Sequence, residues 1–133
     1  MCERRLSMSP ELQSKILQRV DKISNRRTLC DRFVIAMEAL LKASPENFSE
    51  LEGLTREAGH VVFVSADRRK IENTAPNANP KKLPSGNWYV NIAGGQQEFE
   101  IVVDTAQKRL GLPISFVAEL KRKTILRPEV EYE

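Results

Sequence analysis

The sequence predicts an α+β fold, with a helical N-terminal half, a three-stranded antiparallel-type sheet ending in a C-terminal hairpin, and flanking helices. Three observations carry this expectation. Apolar residues recur at helical spacing through Leu12, Ile16, Val20 and Ile23, and again through Leu29, Phe33, Met37, Leu40 and Leu41. The β-branched and aromatic run Val61-Val62-Phe63-Val64-Ser65 then breaks that period. Finally, Gly94-Gly95 separates "NWYVNI" from "QQEFEI", which read as two arms of a hairpin. The chain has 133 residues, 41% apolar and 29% charged, a globular composition that fits one domain with a sizeable core.

The elements follow in order. Ser9-Pro10-Glu11 opens the first helix, with Ser9 as cap and Pro10 at the first helical position. Asn25-Arg26-Arg27 ends it. Thr28 and Asp31 form a capping pair for a second helix that runs to about Ala43. Ser44-Pro45-Glu46 repeats the entry signal and predicts a short third helix carrying Phe48 and Leu51. Gly53 ends this helix, and a further turn runs to Gly59. After the 61–65 strand, "ADRRKIEN" reads as a brief helix with Arg68, Arg69 and Lys70 on its outer face. Beyond the hairpin, Val103, Ala106 and Leu110 restore helical spacing from about Val102. Gly111 stops that helix, and Pro113 opens a last one with Phe116, Val117 and Leu120. The tail is basic and then acidic, and is expected to be loose.

Several function classes find no support. No stretch approaches the roughly 18 apolar residues of a membrane span, and "MCERRLSMSPELQ" has no signal-peptide core. A cytoplasmic protein is expected. Cys2 and Cys30 form no CxxC pair and are expected to be reduced and without catalytic role. His60 is the single histidine, and no metal-ligand spacing accompanies it. No G-x-S-x-G, P-loop or G-x-G-x-x-G occurs. Glu98 and Glu100 would share a strand face, but Val102 stands where a nuclease would place its lysine. The expectation is a protein that is not an enzyme and needs no cofactor or metal. A metal-dependent nuclease is the weakest alternative.

The stretch from Asn73 to Val90, "NTAPNANPKKLPSGNWYV", holds three prolines, four asparagines and two adjacent lysines. Asparagine pairs a donor with an acceptor, matching the major-groove edge of adenine. Lysine meets phosphate as a point charge. Proline limits the entropy lost when a loop is ordered on contact. Asn and Pro are equally the ordinary residues of turns. The net charge of +3 and pI near 9.0 permit a nucleic-acid partner without requiring one. Arg56, His60, Arg68, Arg69, Lys70, Lys81 and Lys82 lie in or beside these segments, with Glu57, Asp67 and Glu72 among them. Arg26-Arg27 and Lys121-Arg122-Lys123 sit at helix ends, where basic side chains complement the helix dipole. Trp88 is expected to pack on the core.

From Phe33 onward the chain resembles the C-terminal DNA-binding domain of the SeqA family. The shared features are Arg32-Phe33 before an apolar helix, Phe48 with Glu50, the strand ending in Ala66-Asp67, Pro80-Lys81, Pro84, the aromatic pair before Val90, and Leu112-Pro113. SeqA proteins are negative modulators of replication initiation that bind hemimethylated GATC sites. In the family, one DNA-contacting loop carries an Arg-Thr-Arg run. Here Gly59, His60 and Val61 stand there, so both arginines are missing and His60 replaces a threonine. The second loop carries asparagines that read the methylated adenine pair. The matching positions here are Thr74 and Pro76, while Asn73, Asn77 and Asn79 lie close by. Lys81 matches a family lysine, and Lys82 replaces a polar neighbour.

The resemblance implies a bacterial or phage protein that binds double-stranded DNA in the nucleoid and takes part in replication regulation, with methylation-state recognition as its candidate specificity. The implied contacts come from His60, Arg68, Arg69, Asn73, Thr74, Asn77, Asn79, Lys81 and Lys82. The alternative is a protein-interaction module on the same scaffold that has lost DNA binding. The expected organisation is an N-terminal extension over 1–27 with one amphipathic helix, a SeqA-like domain over 28–124 and a tail over 125–133. In place of the family's separate oligomerisation domain, the Leu12–Ile23 helix is the candidate homodimer surface.

Overall fold

The computed structural model describes residues 9–55 and 61–127. Helix α1 spans Pro10–Ile23 and α2 spans Leu29–Ala43. A 3-10 turn over Phe48–Leu51 leads to strand β1 (Leu54–Thr55). Strand β2 (Val62–Ser65), helix α3 (Arg68–Glu72), β3 (Pro80–Lys82) and β4 (Tyr89–Asn91) follow. Helices α4 (Gln96–Leu110) and α5 (Ile114–Lys123) close the order.

The expected caps hold. Ser9 Oγ accepts from the amide of Leu12 at 3.1 Å, and Thr28 Oγ1 from the amide of Asp31 at 3.2 Å. Helix α1 buries Ile16 and Val20 and packs on α2 and α5. Its apolar face therefore belongs to the same core as the rest of the chain. Helix α2 is buried through Phe33, Ala36, Met37, Leu40 and Leu41. The anticipated third helix is reduced to the 3-10 turn, which still buries Phe48 and Leu51.

The sheet has four strands in the order β1-β2-β4-β3, and every pairing is antiparallel. The α+β class stands, and the hairpin is corrected. Residues 96–101 are not a third strand but the first turns of α4. The reason is visible in the packing. Phe99, Val102, Val103, Ala106 and Leu110 are buried along one helical stripe, and Phe99 stacks on Phe33 of α2 with ring centroids 4.0 Å apart. Gly94-Gly95 precedes a helix instead of turning a hairpin, and Glu98 accepts the Gly95 amide at 2.6 Å. Glu98 and Glu100 therefore sit on a helix, not on a strand face. Gly111 ends α4 in the left-handed region at φ 68°, where the amide of Leu112 closes back on Gln107 O at 3.2 Å.

Strands β1 and β3 had no counterpart in the sequence reading. Leu54–Thr55 forms β1 where a further turn was expected, and the rest of that stretch, residues 56–60, lies outside the described residues. Strand β3 takes Lys81 and Lys82 out of the loop. It is a sheet edge, the position where Pro80 is tolerated. Trp88 packs edge-on against Phe48 with centroids 5.2 Å apart, as expected of a core-directed ring.

Candidate nucleic-acid interface

The candidate interface lies at the end of the sheet where β2 begins and the 73–79 loop returns. Glu52 secures the far side of β2. It accepts from Ser65 Oγ at 2.7 Å and from the amide of Ala66 at 2.9 Å. Ser65 Oγ in turn accepts the Asp67 amide at 3.0 Å, and Asp67 Oδ1 caps α3 through the Arg69 amide at 3.0 Å. This chain of bonds fixes where α3 starts. Ile71 is buried beneath it, and Arg68, Arg69 and Lys70 are exposed on its outer side, as expected. Arg68 is partly neutralised by Glu72 one turn on, at 2.8 Å.

Asn73 caps the C-terminal end of α3 through its backbone and leaves its side chain exposed. Thr74 behaves differently. Its hydroxyl donates to Ile71 O at 2.7 Å and accepts from the amide of Val62 at 3.3 Å. It therefore ties the 73–79 loop to the first residue of β2, directly after the 59–61 segment. Asn77 and Asn79 are exposed. The loop closes on a turn, with the Ala78 amide donating to Ala75 O at 3.2 Å.

The residue that organises this end of the sheet is Asn91, which the sequence reading did not single out. It is fully buried. Its Oδ1 accepts from the amides of Asn79 and Ala93, each at 3.0 Å, and its Nδ2 donates to Val62 O at 3.3 Å. One side chain thus holds the end of the asparagine loop and the start of β2 in register. The only sequence signal for it is a polar residue following an apolar strand position.

Lys81 and Lys82 do not act as a pair. Lys81 lies opposite Val90, while Lys82 lies opposite Tyr89, so the two side chains leave opposite faces of the sheet. Lys82 shares its face with Tyr89 and Asn91, and its Nζ donates to Gly86 O at 2.8 Å. Lys81 lines a groove with Arg27, Val34 and Ile35 on the helical side. His60 and Arg56 lie outside the described residues.

Glu98 and Glu100, the carboxylates a nuclease would use, are engaged elsewhere. Glu98 holds the Gly95 amide, and Glu100 and Asp104 hold Lys121 at 3.4 and 2.7 Å. Burial alone would lower the pKa of Lys121, but the hydrogen bond and charge of Asp104, with Glu100 behind them, raise it above its ordinary value. Among the described residues, no group of three or more His, Cys, Asp or Glu is placed to hold a metal ion. No helix among them is long and apolar enough to cross a membrane.

No family model matches the chain. A curated protein of Glaesserella parasuis serovar 5 (strain SH0165), a negative modulator of initiation of replication, is 24% identical over 115 residues, which cover 82% of this chain and 61% of that protein. The chain thus spans about three-fifths of the length of that relative. The crystal structure of SeqA from V. cholerae superposes with a TM-score of 0.69 at 15% identity, covering 85% of this chain and 98% of that one. The fold is SeqA-like, as the sequence resemblance implied.

Proposed function

We propose that this chain is a non-enzymatic duplex-DNA-binding protein that works in the control of replication. The observation that carries the reading is that Thr74 and Asn91 both bond Val62, and so hold the 73–79 loop against the start of β2. The second of the loops that the SeqA resemblance assigns to DNA is thereby fixed beside the first residue of β2. Exposed Asn73, Asn77 and Asn79 supply the donor–acceptor groups for base edges. Arg68, Arg69 and Lys82 supply phosphate contacts around them, and His60 adds a contact from the first loop. Lys81, on the other face, acts on the field of the site and not at the reading loop.

The proposal includes a cytoplasmic, nucleoid-associated location, with sensitivity to adenine methylation as its finer form. Thr74 stands where the family has an asparagine, and its hydroxyl is committed to Val62 and Ile71. Any reading of methylation therefore falls to Asn73, Asn77 or Asn79. Dimerisation, if it accompanies DNA binding, must use a surface other than Ile16 and Val20, which are spent in the core.

The test is a fluorescence-anisotropy titration at two salt concentrations. One GATC duplex in unmethylated, hemimethylated and fully methylated forms is compared with a scrambled duplex. The expected result is salt-sensitive binding to duplex DNA with preference for one methylation state. Equal binding to all four probes removes the methylation claim and keeps the DNA claim. Absence of binding at low salt refutes the DNA claim and favours a protein-interaction module.

A further inference from the structure

The helical side of the molecule carries a channel that the DNA reading does not use. It runs between α1 and α2, with Ile16, Val20 and Ala39 as its floor and Ile23 and Ile35 farther along. The helical period sets this line. Ile23 falls two turns on from Ile16 along one side of α1, and Leu12 falls one turn before it. Leu12 is 38% exposed, one of two large apolar side chains so exposed among the described residues. From Leu12 to Ile23 the line runs about 16 Å. The floor itself is recessed, with Ile16, Val20 and Ala39 only 7%, 3% and 3% exposed. The space above it is about 150 Å³. An apolar cavity of that size takes a benzene-sized group, so the channel has room for one large apolar side chain.

The rim has the opposite character. Lys15, Arg19 and Lys42 line it, and Glu38 is the one carboxylate among the described lining residues. Glu38 is already engaged. It accepts from the Ser85 hydroxyl at 2.5 Å and from the Ser85 amide at 3.2 Å, and it lies 3.9 Å from Lys42. Lys15 and Arg19 are exposed and one turn apart, and among the described residues neither makes an ion pair. Two uncompensated positive charges therefore stand beside an apolar pocket. A duplex backbone or an anionic bilayer would meet the rim and leave the recessed floor unfilled. A segment with one large apolar side chain flanked by carboxylates satisfies both features.

We propose that this channel docks an acidic segment of a partner protein. One large apolar side chain anchors it over Ile16, Val20 and Ala39, and its carboxylates meet Lys15, Arg19 and Lys42. The docking is independent of DNA binding.

The test selects binders to the full chain from a displayed library of random peptides of about 12 residues, long enough to span the channel as a helix. Methyl NMR of the full chain with the best peptide then locates the seat. The expected peptides pair a single Leu, Phe or Trp with Glu or Asp neighbours and shift the methyls of Ile16, Val20, Ile23 and Ile35. Replacing the peptide's anchor with serine should weaken binding about tenfold or more, and so should the double change Lys15→Glu with Arg19→Glu in the chain. Both changed positions are exposed, and an unchanged urea midpoint checks that the variant folds. The serine peptide leaves the chain untouched and keeps the test decisive if it does not. No enrichment, selected peptides without acidic residues, or shifts lying elsewhere would overturn the proposal. So would the same methyls responding to a duplex, or to the concentration of the chain alone, because the channel would then serve DNA or a second copy.

Discussion

Asn91 is the residue on which the candidate site turns. Replacing it with alanine leaves the amides of Asn79 and Ala93 without their acceptor. A cost of about 2 kcal/mol is expected, read as a lower urea midpoint with unchanged slope. DNA affinity should fall with it, since the 73–79 loop loses its anchor to the start of β2. Asn77→Ala should do the opposite, leaving stability unchanged and altering site preference, as a selection from random duplexes would show. Changing Lys81 and Lys82 together to alanine should weaken all DNA alike and lower the salt slope. Because register separates the two lysines, Lys82→Ala alone should carry most of that loss, and equal single effects would contradict the face assignment. The asparagines and lysines were legible as chemistry in a polar loop. Thr74 and Asn91 were not. A threonine in a loop and an asparagine ending a strand acquire their roles only when β2 is brought to them, and that contact is long-range in the chain.

At the level of elements, the helices with caps and a full apolar stripe were readable, and the segments that tertiary contacts decide were not. Ser9 and Thr28 marked α1 and α2 because a side-chain oxygen there satisfies an orphan helix amide. Strands β1 and β3 hold two and three residues, too few for an alternation to appear. Helix α4 was misread because Gly94-Gly95 followed by alternating residues imitates a hairpin, while the stripe from Phe99 to Leu110 is helical only when counted as a whole. Phe99→Ala removes the partner of Phe33 and should cost about 3–5 kcal/mol in denaturant unfolding. The join between α4 and α5 has a pH signature. Lys121 has a raised pKa in the folded chain, so its contribution is complete below the ordinary lysine value and is lost as pH rises through the raised one. A Lys121→Met variant should therefore differ from wild type in thermal unfolding at neutral pH, and the difference should shrink on the alkaline side above 10.5.

Over the whole molecule, the sheet separates two surfaces. One end carries the asparagine loop, α3 and Lys82, and the helical side carries a channel between α1 and α2 lined by Ile16, Val20 and Ala39. The fold class and the SeqA likeness were legible from the order of elements and a handful of core residues, because packing constrains those positions wherever the loops diverge. Specificity was not legible, since it depends on which loop groups remain unspent after folding, as the contrast between Thr74 and Asn77 shows. The most direct test of the account is an amide NMR titration of the full chain with a short duplex at low salt. The account predicts shifts concentrated in residues 61–63, 68–79 and 82, with the Lys15–Arg19 stretch of α1 unaffected. Shifts confined to the α1–α2 channel, or no shifts at all, would contradict it.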